Sequence, residues 1–490
     1  MSSQRFIVMK FGGTSVGDAS RFRQCAEIVS KAAQHHRIVV VVSAMAGVTD
    51  LIFRTIEAAR HGDATATEAH LAKFEAVHRE MIGGLFAGKD AAGVLAFAGN
   101  VSEQLRKSAH ALLALRSEIS PQAMDSLVAL GERISSRVLA QYLEHTGTRS
   151  EFVRAEDVIV TDSNFGNAAP DMEATRTRCQ AVLLPLLERG AVPVIGGYSG
   201  ATQDGRTTTL GRGGSDYSAT IVGTAAGADE VCIWTDVDGV LTADPRICPD
   251  ATTLPEITFA EAIELAYYGA KVIHPKAAYP ALDAGIPVWI KNSFRPQVEG
   301  TKIARSASKV NSPVKSVTCV KKATLITLVT RRDVHPVELW GRLFLRLGQE
   351  QIEVLFATQS SPEHALGLVL RAEDSARVVK LINAIFRMEL AQGVLLPVEI
   401  NPEVAVVAVL GESMKGTCGI LGRVFSAVAR SEVSVIAVAQ GASELSICFA
   451  VPSPSASIVV RSVHDEFCVR SDFAIPVCLR PNSTAASGAR

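Results

Sequence analysis

Along residues 1–300, short continuous apolar runs alternate with longer stretches of helical period. Phe6–Phe11, Arg37–Ser43, Val192–Tyr198, Val231–Asp236 and Val288–Asn292 are strand-sized and mostly apolar on both faces, which predicts buried parallel strands. Between them the spacing predicts helices over Ala19–Gln34, Met124–Leu143, Glu173–Arg189, Tyr217–Ala226 and Phe259–Tyr268. Leu51–Arg116 reads as a helical subdomain, lid or dimer face, broken near Gly62-Asp63 and Gly83–Asp90. Phe152–Arg154 and Val158–Val160 add short strands. Strand, helix and glycine-tipped strand end, repeated, predict an α/β body: a mostly parallel sheet sandwiched by helices.

The remaining third follows another rhythm. Ala323–Thr330 and Val404–Leu410 read as strands, each followed by a helix (Pro336–Leu347; Gly419–Arg430). A strand pair comes next in each case (Glu353–Thr358 with His364–Leu370; Ser434–Ala439 with Glu444–Val451), and then a second helix (Ala372–Phe386; Ser455–Phe467). This β-α-β-β-α-β order occurs twice at a period of about 80 residues, which predicts two ferredoxin-like units. The expected domains are 1–300, 315–395 and 401–480, with a Ser/Ala/Gly tail over 481–490 expected to be disordered.

Composition narrows the class. The chain has 490 residues, 48% hydrophobic and 20% charged, with a net charge of -1, so neither nucleic acid nor an acidic membrane is an expected partner. The apolar runs are too short to cross a bilayer and the N-terminus leads directly into a strand, so a cytoplasmic protein is expected. The 9 cysteines form no CxxC pair, which indicates neither a zinc site nor a disulfide framework. His61, His70 and His78 are too widely spaced for a metal site and read as surface residues.

Candidate chemistry sits where strands end. Lys10 interrupts the first apolar strand and feeds Gly12-Gly13-Thr14-Ser15, a turn that opens a helix. Backbone N–H groups, the helix dipole and the ammonium together suit a phosphate, although the Walker A spacing is missing. The second strand ends on Ser43-Ala-Met-Ala-Gly47-Val-Thr49, placing Ser43 and Thr49 toward the same cleft. Thr207-Thr-Thr-Leu-Gly-Arg212-Gly213-Gly-Ser215-Asp216 joins hydroxyls, a forked donor and a carboxylate at the mouth of another helix. That mixture suits a zwitterion or a metal–phosphate; a hairpin turn with an N-cap is the plain alternative. Glu132 suits a substrate ammonium or, equally, a surface ion pair. The strand end Thr235-Asp236 and the loop Asp244-Pro-Arg246 suit a ribose and phosphates, and Lys271 suits a phosphate. His274, before Pro275, reads as packed.

These motifs converge. Lys10-Phe-Gly-Gly-Thr-Ser15, Gly131-Glu-Arg, Thr207–Asp216, Thr235–Arg246 and Phe259–Lys276 resemble the aspartate kinases, which combine the amino-acid kinase fold with tandem C-terminal ACT units. Gly416–Glu444 is most similar to the regulatory region of the bifunctional aspartate kinase–homoserine dehydrogenases, but no dehydrogenase half is apparent, so a kinase alone is expected. The resemblance implies ATP-dependent phosphorylation of the L-aspartate side chain, with Mg²⁺ bridging the nucleotide phosphates. This would be the first step toward lysine, threonine and methionine, or of a specialised pathway such as that to ectoine. It implies that Lys10 stabilises the transferring phosphoryl group and that Gly12, Gly13 and Ser15 cradle it. Arg212 would bind a substrate carboxylate. Glu132 and Asp216 would take the ammonium or organise the phosphate side. Ser43, Thr49, Tyr198, Gly213 and Ser215 would line the aspartate pocket, and Thr235, Asp236, Arg246 and Lys271 would hold ATP. A homodimer or higher oligomer and a lysine or threonine effector at the ACT units are also implied.

Two departures stand out. Leu241 occupies a position that is aromatic in many relatives. The first ACT loop, Thr330–Val337, lacks the glycines of its duplicate Gly411–Gly419, so weakened or altered feedback is expected. Other amino-acid kinases (glutamate or acetylglutamate) and a catalytically inert amino-acid sensor are the alternatives.

Overall fold

A computed structural model describes residues 4–270, 273–308, 312–331, 336–360 and 364–469. Lys271, part of the first ACT loop, the end of the second ACT unit and the tail lie outside the described residues. The chain divides into two compact units. One comprises Met1–Val240, Thr253–Phe259 and Val272–Ala307; the other comprises Leu241–Thr252, Ala260–Lys271 and Ser308–Arg490.

In the first unit, β1 (Phe6–Phe11) leads through the Gly12-Gly13 turn into α1 (Ala19–Ala33) and β2 (Arg37–Val42). Asp18 caps α1 by accepting the Arg21 N–H. Three helices follow: α2 (Val48–Arg60), α3 (Ala64–Leu85) and α4 (Ala92–Leu115). Where one long helix was expected over Met124–Leu143 there are two, α5 (Pro121–Val128) and α6 (Leu130–His145). Ala129 breaks them: its ψ of -11° opens the turn, although its φ of -69° remains helical. Then come β3 (Ser150–Val153), β4 (Val160–Thr161), α7 (Met172–Glu188), β5 (Val192–Gly196), β6 (Ser199–Thr202) and β7 (Thr207–Thr209). The unit closes with α8 (Gly214–Ala226), β8 (Glu230–Thr235), β9 (Glu256–Thr258), the start of α9 (Phe259–Tyr267), α10 (Pro275–Ala284), β10 (Val288–Asn292) and β11 (Thr301–Ala304).

The main sheet has eight strands in the order β3-β5-β2-β1-β8-β10-β11-β9. All its pairings are parallel except β10 with β11. Strands β1 and β5 are buried along their whole length, which explains their mostly apolar character. One face packs with α1–α6 in a core around Phe11, Phe22, Ile52, Phe74 and Leu139. His78 belongs to this face and is not a surface residue: it is buried, its ring lies tilted against Phe74 with centroids 4.5 Å apart, and it bonds the Phe74 carbonyl. Burial pushes its pKa down to about 4, so it remains neutral.

The second unit holds β12 (Ser316–Val329), α11 (Pro336–Gln349), β13 (Val354–Ser360), β14 (Ala365–Arg371), α12 (Ser375–Ile385), α13 (Arg387–Ala391), β15 (Glu399–Leu410), α14 (Ile420–Arg430), β16 (Ala437–Gln440), β17 (Ser446–Pro452) and α15 (Ala456–His464). The two ferredoxin-like units share one antiparallel sheet ordered β13-β14-β12-β15-β17-β16. The central strand β12 runs 14 residues and begins seven residues before the expected start at Ala323. Its first half packs in the core of the second ferredoxin-like unit, through Val317, and its second half in the core of the first ferredoxin-like unit, through Ile326 and Leu328. A register shift between Val320 and Ala323 places Lys321 and Lys322 at a bulge, which hid the strand's continuity in the sequence. Cys418 departs from expectation in being disulfide-bonded; the free thiols include buried Cys25, Cys179, Cys232, Cys248 and Cys448.

Candidate active site

Parallel strands point their carboxyl ends to one side, and there the candidate residues of the first unit gather. Lys10 sits on β1 between two parallel neighbours, only 7% exposed. A buried ammonium needs a counter-charge. Asp216, in the first turn of α8, supplies it: Lys10 Nζ stands 2.5 Å from Asp216 Oδ1. The contact is an ion pair without hydrogen-bond alignment. A side chain on Gly12 would sit 3.4 Å from the same ammonium, so the glycine leaves the charge open on that side. A side chain on Gly13 would sit 3.0 Å from the Ala44 carbonyl, which lets the two loops approach. Ser15 lies deeper than Gly13. It is buried, and its hydroxyl lies 2.7 Å from that of Ser293, so it ties the turn to the end of β10.

The loop after β2 forms a second wall. Ser43 Oγ donates to Ser215 Oγ at 2.8 Å, joining this loop to α8. Gly47, at φ 78°, starts α2 without a side-chain cap, which leaves first-turn N–H groups for an anion. Gly13, Ser43, Ala44–Gly47, Thr49, Asp50 and Glu132 line a cleft of about 230 Å³. Glu132 is 5% exposed, so it is no surface ion-pair partner. Burial raises its pKa to about 8, offset in part by the Ala44 N–H, and its Oε2 has no partner. An unpaired carboxyl facing a polar cleft suits an incoming cation.

The Gly-rich turn forms the third wall. Gly211 and Gly213 have φ of 78° and 72°, and Gly213 serves as N-cap of α8. A side chain on Gly213 would meet His274 Cβ at 2.5 Å. His274 is itself the N-cap of α10, accepting the Lys276 N–H, which agrees with a packing role. Arg212 is exposed and makes no ion pair or hydrogen bond among the described residues. Tyr198 has φ of 112°, a conformation that costs a non-glycine residue energy and clusters at functional sites. Its ring fills the space that a side chain on Gly214 would need, 2.6 Å away.

The expected nucleotide residues are less gathered. Thr235 and Asp236 end β8, and the Thr235 hydroxyl donates to Asp236 at 3.2 Å. Arg246 lies in the second unit, exposed and paired with Asp244 at 2.7 Å. Sequence reasoning missed Asp238, which binds Arg295 and accepts from Asn292 Nδ2 at 2.7 Å. It also missed Asp125 and Ser293. Asp238 lies inside the Thr235–Arg246 motif without having been singled out, and no local motif marks Asp125 or Ser293.

Comparison with known proteins fits this geometry. The model of the amino acid kinase family matches residues 5–292, and an ACT domain model matches 407–467. Lysine-sensitive aspartokinase 3 of Escherichia coli is 32% identical over 463 residues, covering 94% of this chain and 98% of the relative. The chain belongs to the amino acid kinase family, in its aspartokinase branch. The bifunctional aspartokinase/homoserine dehydrogenase of Haemophilus influenzae is 29% identical, and the chain spans only 56% of its length. A crystal structure of E. coli aspartokinase III with aspartate and ADP superposes with a TM-score of 0.79 at 30% identity, covering 94% of this chain and 99% of that one. The same enzyme with lysine and aspartate gives a TM-score of 0.78 at 31% identity.

Proposed function

We propose that the protein is an aspartate kinase. It transfers the γ-phosphoryl group of ATP to the side-chain carboxylate of L-aspartate, giving 4-phospho-L-aspartate and ADP, and so opens aspartate-family amino-acid biosynthesis. The observation that carries this reading is the ion pair of buried Lys10 with half-buried Asp216, set between the turn after β1 and the Arg212 turn. The nucleophile is already an ionised carboxylate, so the site needs no general base. Catalysis reduces to positioning and charge neutralisation. Lys10 stabilises the charge that develops on the transferring phosphoryl group, and Gly12 and Gly13 leave backbone room beside it. Mg²⁺ enters as part of the nucleotide substrate, held by phosphate oxygens and water. Glu132 takes the aspartate ammonium and Arg212 a carboxylate, while Ser43, Thr49, Tyr198, Gly213 and Ser215 shape the pocket. Thr235, Asp236, Arg246 and Lys271 serve the nucleotide. The domain limits 1–300, 315–395 and 401–480, a homodimer or higher oligomer, and an amino-acid effector at the Gly411–Gly419 loop complete the reading.

The test is a coupled ADP-release assay with L-aspartate, with L-glutamate as control, repeated with lysine, threonine and both. Turnover with glutamate alone would overturn the reading. Arg212→Ala is expected to raise the aspartate KM roughly 10- to 100-fold, the equivalent of one charge-assisted contact, with the ATP KM changed far less. Equal effects on both would assign the turn to the nucleotide.

A further inference from the structure

We infer that Asp125 is the positioning residue of the aspartate-binding turn, acting through Thr209 and Tyr198; this rests on the aspartate-kinase reading above. Asp125 lies on α5, far in sequence from the turn, and is only 2% exposed. Its carboxyl group faces no ion-pair partner among the described residues and is satisfied by three donors. Oδ1 accepts the Thr209 hydroxyl at 2.8 Å. Oδ2 accepts the Thr209 N–H at 2.8 Å and the Gly166 N–H at 2.9 Å. A buried carboxyl is costly to desolvate, and this one is spent on the last residue of β7, just before Leu210-Gly211-Arg212.

Thr209 extends the link. Its hydroxyl proton points at Asp125, and its backbone pairs with Ser199 across the β6–β7 ladder, so it is held beside the Tyr198 backbone. Tyr198 is the strained residue, and its backbone is held on both sides: its N–H donates to Ser218 Oγ at 3.0 Å, and its carbonyl accepts the Leu210 N–H at 2.9 Å. Its ring abuts Gly214 at the start of α8. The loop carrying Gly166 is clamped in the same way: the Ala168 N–H donates to the Thr209 carbonyl at 2.9 Å, and Asn167 fills the space beside Gly211. One carboxyl group therefore fixes both chain segments that flank the Arg212 turn, while Arg212 itself is left without a partner among the described residues.

The experiment compares full-length wild type with Asp125→Asn, Thr209→Val and Thr209→Ser, reading the aspartate KM, the ATP KM, kcat and the thermal midpoint. Asp125→Asn keeps the shape but sets an NH₂ group against existing donors. It is expected to raise the aspartate KM about tenfold and leave the ATP KM within about twofold. Thr209→Val removes the hydroxyl alone and is expected to move the same constant in the same direction, whereas Thr209→Ser restores wild-type values. A fall in thermal midpoint with unchanged KM values, or equal rises in both KM values, would overturn the proposal. Thr209→Val decides the matter if the Asn variant fails to fold. Absence of wild-type turnover with aspartate would instead remove the functional reading on which it rests.

Discussion

Glu132 shows how much one residue's meaning depends on burial. In the sequence it stands in a helix beside Arg133, where a carboxylate most simply pairs with a neighbouring cation. In the structure Arg133 pairs with Glu156 at 2.9 Å, and Glu132 is left buried with its pKa raised to about 8 from 4.5. A raised carboxyl pKa means that the folded protein holds a proton the unfolded chain would release, so this group's contribution to stability is lost as pH rises from 4.5 towards 8. An ammonium in the cleft favours the ionised form, so aspartate binding should expel that proton. The aspartate KM should fall as pH rises towards 8 and level off above it, and Glu132→Gln should abolish this dependence. A wild-type KM that is flat from pH 6.5 to 9 would remove Glu132 from the ammonium site. Tyr198 makes the same point: its strain belongs to the backbone and leaves no trace in residue type.

At the scale of elements, helix starts carry the chemistry. The helices α2 and α8 begin at left-handed glycines without side-chain caps, so their first-turn N–H groups remain for ligands. Those glycines were legible as turns, but the reason Gly213 must be glycine was not, because its crowding comes from His274, remote in sequence. Gly213→Ala combines a strained φ of 72° with a 2.5 Å clash. It should cost roughly 1–3 kcal/mol of stability in denaturant titration. A cost within error of zero would show that α8 and α10 shift freely. Strand β12 failed to read as one element because a bulge reverses which side chains face the core, and period-two reasoning cannot cross it. The α5–α6 break was missed for a related reason: Ala129 is a good helix former, and nothing in its neighbours signals a stop.

At the scale of the molecule, the chain does not divide where its composition changes. Leu241–Thr252, which carries Arg246, belongs to the second compact unit. Ala243, Ile247 and Cys248 lie in that unit's core beside Val459 and Val463 of α15. The Thr242 hydroxyl lies 2.9 Å from His464 Nε2, and the Arg461 guanidinium donates to the Ile247 carbonyl at 2.8 Å. The helix α15 thus holds the segment proposed to meet the nucleotide. Arg461→Ala should raise the ATP KM several-fold, since it removes a charge-assisted contact next to Arg246, while leaving the aspartate KM unchanged. Steady-state kinetics with each substrate varied would check this; a change confined to aspartate would contradict it.

The sequence alone determined the classes of element, the parallel sheet, the tandem ferredoxin-like order and the loops where chemistry gathers. Those depend on periodicity, on glycine at strand ends and on long ordered motifs, all local properties of the chain. Only the tertiary structure decided the pairing of charges. It set Lys10 against Asp216, left Arg212 without a partner among the described residues, buried Glu132 with its Oε2 unpaired and placed Asp125 beneath Thr209. Each depends on two segments far apart in the chain meeting in a dry environment, where a few ångströms of separation decide whether a charged group is satisfied or available.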